Sequence, residues 1–126
     1  MSSTAAILAT VILVGLALFQ AALAAGKPLG RLAWGGQHRI LPKSLRVGSA
    51  VSIVVYIAIA VVLLDRADLI SVLQNDTAQI AAWVIVAFFI VGIGMNAASR
   101  SKPERYLMTP IVAVLAALSI VVAAGW

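Results

Sequence analysis

Few side chains in this sequence can do chemistry, and they are spread thinly. There is one histidine, His38, and no cysteine. A metal site needs several nitrogen, sulfur or carboxylate ligands brought together. His38 instead lies in a basic stretch, 26–46, that contains no acidic residue. It also lacks a neighbouring group to orient it as a general base. Without cysteine there are no disulfides, thiol nucleophiles or thiolate ligands. The expectation is no catalytic set, no metal and no cofactor, and a chain that is not an enzyme.

The remaining candidates are polar groups inside or beside long apolar runs: Thr10, Gln20, Ser52, Tyr56, Asn96 and Ser119. Such groups are costly in hydrocarbon and often mark function. Gln20 and Asn96 lie near the ends of their runs, each followed by basic residues. They read as interhelical hydrogen-bonding groups, or alternatively as the lining of a small polar vestibule. No Asp, Glu, Lys, Arg or His falls in the middle of an apolar run, which argues against the ionisable relay of a proton-coupled transporter.

The elements that must position these residues follow from composition. Of the 126 residues, 63% are hydrophobic and 10% charged, and mean hydropathy is +1.12. A soluble domain is roughly half apolar and about one quarter charged. The chain therefore reads as a single membrane domain, 1–126, all-α, a bundle of four transmembrane helices. A bilayer core calls for about 20 apolar residues in a helix, and four runs qualify: 5–25, 47–64, 80–98 and 107–124. Ala22-Leu23-Ala24 imitates a signal-peptidase site. Met1–Thr4 carries no basic side chain, however, and the apolar run is longer than a signal peptide's, so an uncleaved helix is expected.

Net positive charge is confined to two connections. Lys27, Arg31, Arg39, Lys43 and Arg46 occupy the first, and Arg100, Lys102 and Arg105 the third. The second has Arg66 against Asp65, Asp68 and Asp76. The positive-inside rule then places the first and third connections in the cytoplasm and both termini outside. The net charge of +5 is accounted for by topology and by anionic lipid headgroups, and nucleic acid is not expected as a partner.

Local patterns suggest the helix ends. Asp76 with Gln79, and Ser101 with Glu104, have capping-box spacing, and Pro103 suits a first turn. Gly26 suits the left-handed residue that ends the first helix. Trp83 and Trp126 fit an outer aromatic belt, and Trp34 and Tyr106 an inner one. Packing seams are expected at i+4 spacing along Ala5-Ala9-Leu13-Ala17-Ala21-Ala25, Gly48-Ser52-Tyr56-Ala60, Gly92-Asn96-Arg100 and Ala113-Ala117. Pro110 should kink the fourth helix. The run Gln20-Ala21-Ala22 with Lys27-Pro28 and Arg31 parallels Asn96-Ala97-Ala98 with Lys102-Pro103 and Arg105. Two parallel helical-hairpin repeats would explain that likeness, as would chance similarity of Ala-rich helix ends.

The first connection is longer than the 2–8 residues that usually join helices. Its glycines, prolines and apolar residues exceed what a charged tether needs. It reads as a folded segment at the interface, its basic groups on lipid phosphates. Arg31, Trp34, His38 and Arg39 there, with Arg100, Arg105, Gln20, Tyr56 and Asn96, are the candidate functional positions.

The segment from Gly26 to Pro42 resembles a signature of a family of small uncharacterised bacterial four-helix integral membrane proteins, and Asn96–Arg105 is similar to that family's second signature. The resemblance implies helix number and order and a bacterial plasma (inner) membrane location. It carries no activity and no site residue. The leading expectation is thus a non-enzymatic homo-oligomer or accessory subunit of a membrane complex. The alternative is a small transporter or channel for polar or anionic solutes, followed by an enzyme acting on lipid or quinone.

Overall fold

In hydrocarbon, a backbone must satisfy its own polar groups, and a helix does so within one segment. The computed structural model describes residues 1–126 and has four helices and no strand: α1 (Ser2–Ala24), α2 (Lys43–Arg66), α3 (Asn75–Ala97) and α4 (Lys102–Ala123). Each is long and apolar enough to cross a membrane. The molecule is an all-helical four-helix bundle.

Three of the helices begin four or five residues before the apolar runs do. Lys43, Asn75 and Lys102 open α2, α3 and α4. An apolar-run criterion misses these first turns because their polar side chains reach back to the interface while the backbone is already helical. Lys43–Arg46 therefore belongs to α2 and not to the connection.

Each helix packs on the next and α4 closes on α1, giving up-down-up-down order. At one end Ser2 donates from its backbone N–H (2.7 Å) and its hydroxyl (2.6 Å) to the Trp126 carbonyl oxygen. At that same end Arg66 Nη2 reaches the Ala123 carbonyl at 3.1 Å. The opposite end carries the 25–42 and 98–101 connections. The two hairpins, α1–α2 and α3–α4, run in the same sense. Their Lys-Pro pairs differ in conformation: Lys27-Pro28 lies outside any helix, whereas Lys102-Pro103 opens α4.

The main core joins Ala6, Ala9, Leu13, Ile59, Leu63, Phe89, Leu115 and Val122. The small-residue seams only partly coincide with it. Ala5, Ala9 and Leu13 are buried, but Ala21 and Ala25 are exposed. Ala113 and Ala117 also face outward, and the buried residues of α4 are Glu104, Leu115, Ala116, Ser119, Val122 and Ala123. With 3.6 residues per turn, i+4 steps drift by about 40° each, so a strict four-residue stripe leaves the interface within a few turns.

The ends are secured in different ways. α1 closes as expected, with Gly26 at φ +87°. The Gly26 N–H donates to Leu23 (3.0 Å) and the Lys27 N–H to Ala22 (3.0 Å), which is a Schellman arrangement. The Asp76–Gln79 capping box does not form. Gln74 is the N-cap of α3 and makes no side-chain cap bond, leaving Asp76 inside the first turn, where it complements the helix dipole. α4 continues through Pro110 to Ala123, so that proline does not end the helix.

Candidate functional site

The 25–42 connection folds back on itself before α2 starts. It makes two short 3-10 turns, Gly30–Leu32 and Trp34–Gly36. The Gly30 N–H donates to the Arg39 carbonyl at 2.8 Å, and a Cβ at Gly30 would overlap the His38 carbonyl oxygen. Leu23, Ala33 and Leu41 form a small buried cluster beneath, with Phe19 and Leu45 against it.

At its centre Trp34, Gly35 and Gly36 all have positive φ, at 52°, 78° and 70°. Glycine accepts this region freely, but a side chain there costs roughly 1–2 kcal/mol. Trp34 is held in it by two contacts. Its indole Nε1 donates to Ser49 Oγ at 3.1 Å, and Ser49 is fully buried. Its ring lies on Gly48, where a Cβ would come within 2.9 Å of the indole carbons. Trp34 is therefore packed on α2 through its ring while remaining 41% exposed. Tyr106 is exposed, its ring under the Arg105 guanidinium at 5.1 Å.

The folded loop is fastened to the α3–α4 turn. Ser101 caps α4, accepting from the Glu104 N–H at 3.4 Å. The reciprocal half of the expected capping box is missing, because the Glu104 carboxylate turns away. Its Oε2 accepts from Ser99 Oγ (2.6 Å) and from the Gly35 N–H (3.0 Å), and the residue is only 8% exposed. Ser101 Oγ donates to the Arg31 carbonyl. Gly36 packs so closely on Ser101 that a Cβ would overlap that side chain. The two connections form one surface.

Beneath that surface lies a cavity of about 280 Å³, lined by Gln20 from α1, Ser52 and Tyr56 from α2, Asn96 from α3 and Glu104 from α4, with Leu32–Trp34 over it. A second hollow of about 640 Å³ adjoins it, sharing Trp34, Met95, Asn96 and Glu104. The two carboxamides do not bond each other. Gln20 Nε2 donates to Tyr56 Oη at 3.4 Å and Asn96 Nδ2 to the Gly92 carbonyl of its own helix at 2.8 Å. Gln20 Oε1 is buried without a partner.

The structure thus brings Gln20, Trp34, Tyr56 and Asn96 together and leaves His38, Arg39 and Arg100 exposed around them. Arg31 meets the α3–α4 turn through its backbone and keeps its side chain exposed. Arg105 Nη1 donates to the Ser99 carbonyl at 3.4 Å. Three residues of consequence escape sequence reasoning. Glu104 reads there as a capping residue alone. Arg46, whose Nε donates to the Ala24 carbonyl at 2.8 Å, reads only as topology charge. Ser49, adjacent to the noted Gly48, has no pattern of its own. Glu104 had one usable signal: it is the sole acidic residue among the cations of this end.

Chemically the lining is rich in acceptors. Ser52 and Trp34 each spend their one donor on a neighbour, Asn96 spends one of its two amide N–H groups, and both described bonds to Glu104 fall on Oε2. No protein-family model, curated protein or solved structure matches the chain.

Proposed function

We propose that this chain is a non-enzymatic multi-pass protein of a bacterial plasma membrane, a homo-oligomer or the accessory subunit of a larger membrane complex. The end carrying the 25–42 connection is cytoplasmic. One observation carries the reading: that connection is fastened to the α3–α4 turn through Glu104–Gly35 and Ser101–Arg31. A charged tether that only signalled topology would need none of it. The exposed cations Lys27, Arg31, Arg39, Lys43, Arg100 and Lys102 are thereby held on a fixed frame facing anionic headgroups, each worth about 1 kcal/mol near such a leaflet. The balance of charge supports the orientation, since the far end carries Arg66 among three carboxylates. The likeness of Gly26–Pro42 to small bacterial membrane proteins is in keeping with the location.

Affinity capture from mild detergent tests the quaternary part. Copurification of a distinct membrane protein in fixed ratio supports an accessory subunit. A clean self-associated species of this chain alone supports the homo-oligomer. A lone monomer in native lipid particles would overturn both.

The polar cavity favours a second reading, a small transporter. Against it, the cavity ends at the main core, where Leu13, Leu63, Phe89 and Leu115 fill the space between the helices. A path would have to run between copies. Solute flux in proteoliposomes that survives Gln20→Leu and Asn96→Leu would remove those residues from any such path.

A further inference from the structure

We propose that the paired hollows at the loop end bind an amphiphile with a primary-ammonium headgroup, an aminophospholipid of the phosphatidylethanolamine class. The ammonium sits beside Glu104 and Asn96, and an acyl chain lies along α3. The inference rests on the membrane orientation proposed above and not on the choice between homo-oligomer and accessory subunit.

Three observations converge. The first is hydrogen-bonding capacity. One Asn96 Nδ2 N–H donates to the Gly92 carbonyl, which determines the amide orientation and leaves Oδ1 as an acceptor and the second N–H as a donor. Ser52 has spent its proton on the Gly48 carbonyl at 3.0 Å. Glu104 contributes a carboxylate with Oε1 outside its two bonds. Free acceptors beside the one negative charge of the lining, next to the Trp34 indole, match a donor-rich cation. An anion would meet the Glu104 carboxylate.

The second is shape. The larger hollow is polar at one end, with Asn96, Ser99 and Glu104, and apolar at the other, with Phe88, Val91 and Met95. Those three apolar side chains are exposed on the flank of the bundle. From Asn96 back to Phe88 the helix rises about 12 Å, room for much of an acyl chain, and that flank faces lipid. A small soluble amine would leave this part empty.

The third is the rim. The loop end around the hollow carries exposed cations, among them Lys43, Arg100 and Lys102, and none of them lines the hollow itself. A free cation would be repelled by such a rim. A headgroup whose ammonium is joined to a phosphate satisfies both parts, with the ammonium inward and the phosphate on the cations.

The test uses the full chain, exchanged into vesicles containing equal parts of phosphatidylethanolamine, phosphatidylcholine and phosphatidylglycerol. The chain is re-extracted in mild detergent and retained lipid is read by native mass spectrometry. Phosphatidylcholine keeps the positive charge but cannot donate hydrogen bonds. Phosphatidylethanolamine should be enriched over it by about tenfold, the scale of one charge-assisted hydrogen bond. Glu104→Gln keeps an acceptor for Ser99 and Gly35 while removing the charge, and should abolish the enrichment. Asn96→Leu lies outside the loop fastening and should reduce it even if the first variant folds poorly; circular dichroism melting reports folding of each. Equal retention of the two zwitterionic lipids, or enrichment unchanged in both variants, would overturn the proposal. Preferential retention of phosphatidylglycerol would mean that the rim alone binds, and would also overturn it. Free ethanolamine displacing the lipid at equal concentration would overturn the acyl-chain part by making this a site for soluble amines. Because the readout needs only the purified chain, its failure is separate from failure of the capture experiment.

Discussion

The two ends of the bundle each bury one carboxylate and use it differently. At the far end Asp65, 4% exposed, accepts the Val72 and Leu73 N–H groups on Oδ2 at 2.6 and 2.7 Å. Both donors belong to the connection that follows α2, whose last turn holds Asp65, so the carboxylate closes a short local turn. At the loop end Glu104 takes one donor from its own turn and one from Gly35, which is 69 residues away in sequence. The first arrangement is complete in itself and leaves only a small hollow. The second spans two connections and forms part of the wall of a cavity. A buried acid that closes a local turn reads as structure; one that joins distant segments beside unspent acceptors reads as a site.

The sharpest way to break this comparison is to remove each carboxylate. Asp65→Ala strands two backbone N–H groups, each bonded to a charged acceptor at about 1.5–3 kcal/mol. It should cost roughly 3–5 kcal/mol, read as a lowered midpoint in a detergent-based unfolding titration, with Asp65→Asn recovering about half. Glu104→Ala should cost less, about 2–3 kcal/mol, because only one of its two donors is a backbone N–H and the Ser99 hydroxyl can rotate to another acceptor. Its larger signature is local: backbone hydrogen exchange should rise across 30–37 while the helices stay protected. If Glu104→Ala melts the bundle as Asp65→Ala does, the two acids are equivalent and the contrast fails.

The next effect isolates the docking from the charge. Gly36→Val puts a branched side chain at φ +70°, against Ser101. Backbone strain of this kind costs of order 1–3 kcal/mol. The loop should detach, with the same exchange pattern as Glu104→Ala and an intact carboxylate. Helical content by circular dichroism should not change.

The helices themselves were legible because about 20 consecutive apolar residues allow only one kind of backbone solution in lipid. Their first turns were not, since Lys43, Asn75 and Lys102 carry no apolar signal although their backbones are helical. Half of the site was legible as well. Gln20, Tyr56 and Asn96 stand out as polar groups among apolar ones: Gln20 bonds across helices to Tyr56, Asn96 bonds within its own helix, and all three line one cavity. Glu104 was hidden by a local pattern, Ser101-x-x-Glu104, that accounts for it fully as a cap. Nothing at that spacing reveals that the side chain turns to a glycine in another loop. The i+4 seam on α4 lay on the wrong face from its first residue: Ala113 and Ala117 are both exposed, while Leu115, Ala116 and Ser119 face the core.

The smallest expected effect probes what holds Trp34 at positive φ. In Trp34→Phe the ring can still lie on Gly48, but the donor to Ser49 is gone, and Ser49 Oγ, fully buried, keeps no partner among the described bonds. One neutral hydrogen bond contributes about 0.5–1.5 kcal/mol, comparable with the roughly 1–2 kcal/mol of a left-handed side chain. The variant should lose about 1 kcal/mol overall, with loosened exchange confined to 33–36. Trp34→Asn makes the converse change, since asparagine tolerates the left-handed region but cannot fill the space on Gly48. If Trp34→Asn is the more stable of the two, backbone strain dominates at this position and the ring is dispensable. If Trp34→Phe is the more stable, the aromatic packing holds the loop over the cavity, and the strain at residue 34 is the consequence of keeping the ring there.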